Sequence, residues 1–466
     1  MADEKEEIKN LKEKLLFKKE STWKKTDKEK VFDMAEDYKE FLKDAKTERE
    51  AFKNVLKFAK ENGYKSLEDF EELKEGDRVY FKNKEKQVLL IKIGRDLEDV
   101  RMTLSHLDAP RLDLKQKPLY EGNDLCIADT HYYGGIKKYQ WTNFPLSLHG
   151  IIIDRKGDKH EIVIGEEDED PVFIVPDLLP HLGKDQLKKK LKEAVEGEDL
   201  NILVGNIPIE EGKEEAVKLQ ILRHLNEKYG FEEEDLMSAE IEAVPAIEPR
   251  DLGFDRSMVA AYGQDDRGHS FVSLKAFMDS NTDKTIMAGF FDKEEIGSEG
   301  NTSIQSRFLE KTVSKILQKY GDERYHEGVY SFFDGVEALS MDVSAAVNPT
   351  FKEVHDENNS INLGQGVCFV KFTGSGGKYS ANDANAEFIG KVRKRFNDED
   401  IPFHPVELGK VDKGGGGTVA KFLSRRGSEV VDMGFPLLSM HSPYEISSKV
   451  DIYNTYRAAK AFYIGE

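Results

Sequence analysis

Five short segments of the chain place histidines or acids among small and apolar neighbours. They span residues 105–112, 262–270, 290–300, 340–349 and 439–447. The side chains in them that could bind metal ions are His106, Asp265, Glu295, Asp342 and His441. Each segment lies at a predicted strand end or in a loop, and sites in open α/β sheets form outside the carboxyl ends of strands. Because imidazole and carboxylate together suit Zn²⁺, Co²⁺ and Mn²⁺, the segments predict a centre for two divalent ions.

Two neighbouring acids could divide the tasks of ligand and base at such a centre. Two cations held close together need a bridging carboxylate, and hydrolysis needs a free carboxylate that takes a proton from water. The pair Glu294–Glu295 supplies one of each if the backbone turns between them. Asp108 follows closely after His106 and can hydrogen-bond a ring N–H, which fixes the tautomer. Singly, such residues are more typical of helix caps and surface loops, but their shared apolar context favours a site.

The composition excludes several classes of function. The chain has 466 residues, with 69 Lys and Arg against 89 Asp and Glu, and a net charge of −20. This charge repels phosphate backbones and anionic lipids, so we expect neither nucleic acid nor a membrane as a partner. No apolar run reaches the ~18 residues of a membrane span, and the first residues lack the apolar core of a secretory signal. Cys126 and Cys368 cannot build a disulfide framework, which predicts a cytoplasmic protein.

Predicted strands alternate with predicted helices, which is typical of an α/β fold. Strands are expected at 87–94, 100–108 and 285–292 and in the apolar stretches 331–344 and 429–441. Helices are expected at 271–279, 302–320 and 450–465, and the lysine- and glutamate-rich residues 1 to about 75 also have helical spacing.

A different pattern interrupts this alternation. Residues 146–165 predict a β-hairpin with Gly157 in the turn. Residues 183–245 are highly charged and predict helices joined by loops, with one strand in LNILVGNI. We therefore expect an insertion with its own fold. The predicted division is 1–118 for N-terminal helices and the first part of a catalytic domain, 119–245 for the inserted domain, and 246–466 for the remainder of the catalytic domain.

Two glycine-rich stretches, 374–378 and 413–418, invite a phosphate-binding interpretation. Phe372 and Tyr379 stand where a Walker A motif requires Gly and Ser or Thr, so the motif is not present. We expect these loops to turn at positive φ or to approach a substrate closely.

Several segments, in order from about residue 85 to the C-terminus, resemble the aspartyl aminopeptidase and vacuolar aminopeptidase I family of dinuclear zinc metallopeptidases. The matching segments are SHLDAPRLDLK, YYGGIKKYQW, VPDLLPHL, DKEEIGS and LSMHSPYE. The resemblance implies a mixed-sheet metallopeptidase domain of the phosphorylase/hydrolase-like kind, with an inserted β-rich dimerisation domain. It also implies a homododecamer built from dimers that encloses its active sites, and removal of the N-terminal residue from small peptides with a free N-terminus.

The resemblance also implies a role for each candidate residue. One ion would be held by His106, Asp265 and Asp342, and Asp265 would bridge to a second ion bound by Glu295 and His441. Glu294 would be the general base, and Asp266 would follow Asp265 through a cis peptide. His181 would reach a neighbouring subunit's site and donate a hydrogen bond to the oxyanion.

Other functions stay open at this point. A carboxypeptidase or an amide deacylase could use the same two-metal core, and a non-catalytic assembly protein could retain the fold. The chain departs from the family at Ala345 and Asn348, where histidines are usual, and at Val354, where the branch selective for acidic residues tends to have Lys. Since an apolar side chain cannot pair a substrate carboxylate, a neutral or hydrophobic N-terminal residue is at least as plausible as an acidic one.

Overall fold

A computed structural model describes residues 2–210, 214–321 and 325–465 of the chain. The helices are α1 (Ala2–Leu15), α2 (Lys28–Lys43), α3 (Glu48–Glu61), α4 (Leu191–Ala194), α5 (Ala216–Tyr229), α6 (Gln264–Met278), α7 (Phe308–Lys319), α8 (Tyr325–Asp334), α9 (Ala386–Asp398), α10 (Ala420–Ser424) and α11 (Lys449–Ile464). Among these helices, none combines the length and the apolar character needed to cross a bilayer.

The strands are short and numerous. They are β1 (Lys65–Ser66), β2 (Arg78–Asn83), β3 (Gln87–Lys92), β4 (Val100–His106), β5 (Arg111–Gly122), β6 (Leu125–Tyr133), β7 (Leu146–Ile153), β8 (Lys159–Ile164), β9 (Ile202–Gly205), β10 (Ala239–Pro245), β11 (Arg250–Leu252), β12 (Met258–Ala261), β13 (Thr285–Phe291), β14 (Val336–Met341), β15 (Ser344–Ala345), β16 (Val367–Val370), β17 (Gly374–Ser375), β18 (Phe403–Pro405), β19 (Gly415–Gly416), β20 (Glu429–Gly434), β21 (Pro436–Leu438) and β22 (Glu445–Ser448).

A nine-stranded mixed sheet forms the centre of the larger part of the molecule. Its strand order is β1-β2-β3-β13-β4-β14-β20-β16-β18. The central strands β13, β4, β14 and β20 run parallel, and every residue of β4 and β13 is buried. Parallel strands of this kind need helices on both faces. One face packs against α2, α3, α6, α9 and α11, and the other packs against α7, α8 and α10.

A second sheet is built almost wholly from residues 111–245 and has its own apolar core around Trp141. Its order is β8-β7-β10-β5-β6-β9. The predicted hairpin is confirmed, because β7 pairs antiparallel with β8 and Gly157 has a φ of 89° in the turn. A further hairpin joins β5 to β6 through Asn123 and Asp124, both at positive φ. Consecutive positive φ values are the geometry of a type I′ turn, so the Asn-Asp pair was a signal for this hairpin.

A third sheet, in the order β11-β12-β22-β21-β15, connects distant parts of the chain. Its register places Ala261, at the end of β12, opposite Glu445 at the start of β22. A short turn after Ala261 leads directly into α6. This sheet therefore brings the first turn of α6 next to the loop that precedes Glu445.

The predicted strands 87–94, 100–108 and 285–292 are confirmed, and so are the helical predictions for 271–279 and 450–465. The prediction of helices over 183–245 was wrong in part, because 239–245 is the strand β10 at the centre of the second sheet. Its glutamates suggested solvent exposure, but Glu242 is buried beside Arg111. Residues 331–334 were also predicted wrongly, since they complete α8 before β14 begins.

Helix α6 carries two candidate metal-site residues, and its packing tolerates no side chain at Gly268. A Cβ atom built there would lie 2.6 Å from Tyr38 Oη and 2.7 Å from Phe435 Cζ, and both rings are fully buried. We expect Gly268→Ala to destabilise the fold by about 1–3 kcal/mol through overpacking, which thermal unfolding will detect as a lower midpoint. Gly390→Ala in α9 is the control, because nothing lies within 4 Å of its Cβ. This control variant should unfold at the wild-type temperature or above it. An unchanged midpoint for Gly268→Ala would contradict the packing argument.

Candidate metal centre

Parallel strands bring the first group of candidate ligands together. His106 ends β4, and Asp342 directly follows β14, its parallel neighbour, so the two side chains leave the sheet at the same edge. Asp265 enters from the first turn of α6, with its Oδ1 atom 3.4 Å from His106 Nε2. His106, Asp265, Asp266 and Asp342 each offer one ligand atom, and these atoms all lie within 4.8 Å of one another.

A second group forms around the other oxygen of Asp265. His441 Nε2 lies 3.1 Å from Asp265 Oδ2 and 3.4 Å from Glu295 Oε2. One ligand atom from each of these three residues lies within 4.8 Å of the others. Asp265 thus belongs to both groups and presents Oδ1 to one and Oδ2 to the other, as a carboxylate that bridges two cations must.

The electrostatics of the cluster favour cations. Burial, together with the charge of Asp265, raises the pKa of Glu295 and of Asp342 well above the usual range. Glu295 Oε1 is buried and has no hydrogen-bond partner among the described residues. Buried carboxylates that repel one another are costly unless positive charge compensates them, and two imidazoles are too few for this cluster. The donor set therefore fits divalent metal ions bound by nitrogen and oxygen.

Asp108 holds neighbouring residues of this centre through both its backbone carbonyl and its carboxylate. The backbone carbonyl of Asp108 accepts a hydrogen bond from His106 Nδ1 at 2.9 Å, and its carboxylate Oδ1 lies 3.4 Å from the same nitrogen. This arrangement leaves Nε2 free to bind metal. The Asp108 carboxylate accepts hydrogen bonds from the backbone N–H groups of Glu294 at 3.0 Å and Glu295 at 3.1 Å. It therefore fixes the turn that presents both glutamates.

Glu445 supports the second group, and sequence reasoning gave it no role. Its Oε1 atom accepts a hydrogen bond from the His441 backbone N–H at 2.7 Å, and its Oε2 atom accepts one from the Asp265 N–H at 3.1 Å. One carboxylate thus ties together two candidate ligands that are far apart in the chain. The signal was present in the segment LSMHSPYE, where Glu445 follows His441 by four residues.

Asp266 and His269 support the first group, and neither was predicted to do so. The predicted cis peptide between Asp265 and Asp266 is present. Asp266 Oδ2 accepts a hydrogen bond from the His106 N–H at 3.1 Å, and Oδ1 accepts one from His269 Nδ1 at 2.6 Å. Since His269 Nε2 accepts a hydrogen bond from the Phe435 N–H, its ring is held neutral, and burial lowers its pKa to about 3.

Glu294 belongs to neither group of ligands but lines the adjacent cavity. Burial raises the pKa of its carboxyl to about 7, in a range suited to accepting and returning a proton. The cavity has a volume of about 440 Å³ and also contacts Asp265, Glu295, Asp342 and His441. The two glycine-rich loops pair with each other through β17 and β19 and form part of the cavity wall. Positive φ angles at Gly374 and Gly415 confirm the expected turns.

His181 lies apart from this cavity in the isolated chain. It is exposed in the loop between β8 and α4, and it is not among the residues that line the cavity. Its predicted role at a neighbouring subunit's site stays a prediction.

The structure thus combines a mixed α/β sheet, a cluster of imidazoles and carboxylates at the strand ends and an adjacent cavity, an arrangement suited to metal-assisted hydrolysis. A family model described as aminopeptidase I zinc metalloprotease (M18) matches residues 41–463. A probable M18 family aminopeptidase 1 of Clostridium acetobutylicum is 46% identical over 462 residues, which cover 96% of this chain and 98% of that protein. The chain therefore belongs to the M18 family of zinc aminopeptidases.

Solved structures agree with this assignment. The crystal structure of an M18 aminopeptidase from Thermotoga maritima superposes with a TM-score of 0.95 at 45% identity, covering 96% of this chain and 100% of that one. A more distant structure, the mApe1 dodecamer of S. cerevisiae, has 18% identity and a TM-score of 0.74 over 92% of this chain and 96% of that one, and shows a shared fold. The predicted family, fold class and aminopeptidase function are confirmed over the carboxypeptidase, deacylase and non-catalytic alternatives.

Proposed function

We propose that this aminopeptidase works with two divalent ions in each chain. His106, Asp265 and Asp342 would hold one ion, and Asp265, Glu295 and His441 would hold the other. The observation that carries this proposal is the position of Asp265, whose two carboxylate oxygens face two separate groups of donors. The family is one of zinc metalloproteases, and nitrogen and oxygen donors suit Zn²⁺ best, with Co²⁺ or Mn²⁺ as substitutes.

The bound ions would supply a water of lowered pKa and would polarise the scissile carbonyl. The chain's own residues then carry the protons. Glu294 takes a proton from the attacking water as its oxygen bonds to the carbonyl carbon, and returns that proton to the amine as the C–N bond breaks. The products are the free N-terminal amino acid and a peptide that is shorter by one residue. Asp108 keeps Glu294 in place through the backbone N–H.

The substrates in this proposal are small peptides with a free N-terminus. In support, the cavity beside the cluster has a volume of about 440 Å³, and part of its wall is formed by the apolar side chains Val370, Phe372 and Met440. Paired assays on the same peptide with a free and with an acetylated N-terminus test this requirement. Cleavage of the acetylated peptide at an equal rate would refute it.

The role of Glu294 can be tested without disturbing the ligands. We expect Glu294→Gln to retain its metal ions and to lower kcat by about 10²- to 10⁴-fold, because an amide cannot accept the proton. The measurements are aminoacyl-anilide hydrolysis and elemental analysis of the same preparation. Glu299→Gln is the control, because Glu299 is exposed on the same loop. A near wild-type kcat for Glu294→Gln would exclude it as the base.

The ligand assignment predicts a change in metal content. We expect His441→Ala to reduce the content to about one ion per chain, because the second group loses its only imidazole. Elemental analysis after dialysis measures this directly. His131→Ala, which removes an exposed histidine, should keep the wild-type content. Two ions in dialysed His441→Ala would contradict the assignment.

The proposal includes self-association through the predicted inserted domain, 119–245, as a homododecamer built from dimers. In support, residues 172–191 expose many large apolar side chains, which is typical of a protein interface. They are Val172, Ile174, Leu178, Leu179, Leu182, Leu187 and Leu191. A relative of the same fold is a dodecamer. His181 lies within this segment, so association would present it to the neighbouring subunit, where it would donate to the oxyanion.

This surface predicts the effect of added charge. We expect the double variant Leu179→Glu and Leu182→Glu to sediment as a smaller species than the wild type, because an interface would have to bury the new carboxylates. Analytical ultracentrifugation measures the mass. Tyr330→Glu, at a side chain that is 78% exposed on α8, is the control and should leave the mass unchanged. An unchanged mass for the double variant would exclude this segment as the interface.

A cytoplasmic location is also proposed. Its support is chemical, because Cys126 and Cys368 are both buried free thiols, as is usual in a reducing compartment.

A further inference from the structure

The end of β6 in the second sheet reaches the metal centre at two points. Tyr133 Oη donates a hydrogen bond to Asp108 Oδ2 at 2.9 Å. Two residues later, the Gly135 carbonyl accepts a hydrogen bond from His441 Nδ1 at 2.7 Å. One contact is at the carboxylate that holds the turn of Glu294 and Glu295, and the other is at His441. The segment YYGG is part of the family resemblance, but the proposed reaction assigns no role to its residues.

The contact from Tyr133 completes the set of donors around a fully buried carboxylate. Asp108 has no exposed surface, and its Oδ2 atom also accepts the Glu295 N–H at 3.1 Å. Hydrogen bonds to an ionised group are about twice as strong as those between neutral groups. Without the phenol, Oδ2 would keep one backbone donor, and the turn that carries the two glutamates would be less firmly held.

Tyr133 is itself fixed from the second sheet. The Arg111 guanidinium lies 3.8 Å from the centre of the Tyr133 ring, which is a close cation–π contact. Arg111 is buried and pairs with Asp113 at 2.8 Å and with Glu242 at 3.2 Å. The ring therefore has little freedom to turn its hydroxyl away from Asp108.

The two glycines that follow allow the close approach. Gly134 has a φ of 76°, and a Cβ atom built on it would lie 3.3 Å from Pro110 Cγ and 3.4 Å from Glu295 Oε2. A side chain here would be strained by the positive φ, would contact Pro110 tightly and would lie directly against Glu295. The carbonyl of Gly135 fixes the tautomer of His441, so that Nε2 presents its lone pair toward Asp265 and Glu295.

We infer that Tyr133 is a positioning residue for the peptidase reaction, and that the segment Tyr133–Gly135 is the means by which the second sheet completes the metal centre. The inference rests on the proposed function of Glu294 and Glu295. Tyr133 belongs to neither group of candidate ligands and does not line the cavity. It acts through Asp108, which holds the base and one ligand by their backbone N–H groups.

The test compares Tyr133→Phe with Tyr132→Phe, its neighbour on the same strand, which is 39% exposed. For Tyr133→Phe we expect kcat to fall about 10- to 100-fold, the effect of one hydrogen bond to a charged group, while KM stays within about twofold of wild type. The visible spectrum of the Co²⁺-loaded protein should also change, because the carboxylate geometry around the ion shifts. Tyr132→Phe should match the wild type in both measurements.

A double-mutant cycle with Asp108→Asn tests the route of the effect. If Tyr133 acts through Asp108, the double variant loses clearly less than the product of the two single effects. Multiplicative losses would overturn the inference, and so would a wild-type kcat and Co²⁺ spectrum in Tyr133→Phe. Should Tyr133→Phe fail to fold, Gly134→Ala retains the phenol but strains the backbone beside Glu295, and it should change the Co²⁺ spectrum. An unchanged spectrum there would overturn the inference.

These outcomes are distinct from a failure of the proposed function. If the wild-type protein binds two Co²⁺ ions but does not cleave peptides with a free N-terminus, the proposed reaction is refuted. The Co²⁺ spectra of the variants would still show whether Tyr133 positions the candidate ligands. If the wild type is active and Tyr133→Phe has the wild-type kcat and Co²⁺ spectrum, only the inference about Tyr133 is refuted.

Discussion

Repulsion among buried carboxylates is the constraint on which the rest of this structure depends. Asp265, Glu295 and Asp342 lie close together beneath the surface, with Glu294 beside them, and two imidazoles offset only part of their charge. Such an arrangement persists only if backbone donors hold each acid in place and if cations compensate the excess. Asp108, Asp266 and Glu445 supply that support, since each accepts hydrogen bonds from the backbone of a candidate ligand. The supporting residues are themselves acids, which increases the demand for positive charge.

All three sheets help to position the candidate metal ligands. The parallel strands β4 and β14 deliver His106 and Asp342 at one sheet edge. The third sheet sets Ala261 opposite Glu445 and thereby brings Asp265 to His441. The second sheet adds the contacts of Tyr133 and Gly135. The first and third sheets share one hydrophobic core and the second sheet has its own, so the centre lies where these two cores meet.

Much of this could be predicted from the sequence, but not all of it. The central strands could be predicted because β13 is an apolar run and β4 alternates Val, Met and Leu with polar residues, and the candidate ligands stood out as polar residues at the ends of such segments. Strand β10 was not readable, since its glutamates looked solvated and only the buried partner Arg111 makes Glu242 tolerable inside. The supporting roles of Glu445 and His269 were only partly encoded in local sequence. The contacts of Glu445 with His441 and of His269 with Asp266 are local, but those with the backbone N–H groups of Asp265 and Phe435 join distant segments that no local pattern predicts.

The spread of the donors along the chain has a consequence for biosynthesis. His106 leaves the ribosome early, whereas His441 is the last donor to emerge, after every strand of the central sheet has been made. The nascent chain therefore lacks Glu445 and β22, which position Asp265, until almost the whole chain has been synthesised. Ion capture by the second group must follow synthesis of the whole cluster, so metal loading and the final folding step are coupled in time. Chains interrupted before His441 would carry all the candidate carboxylate ligands with only one of the two candidate imidazoles.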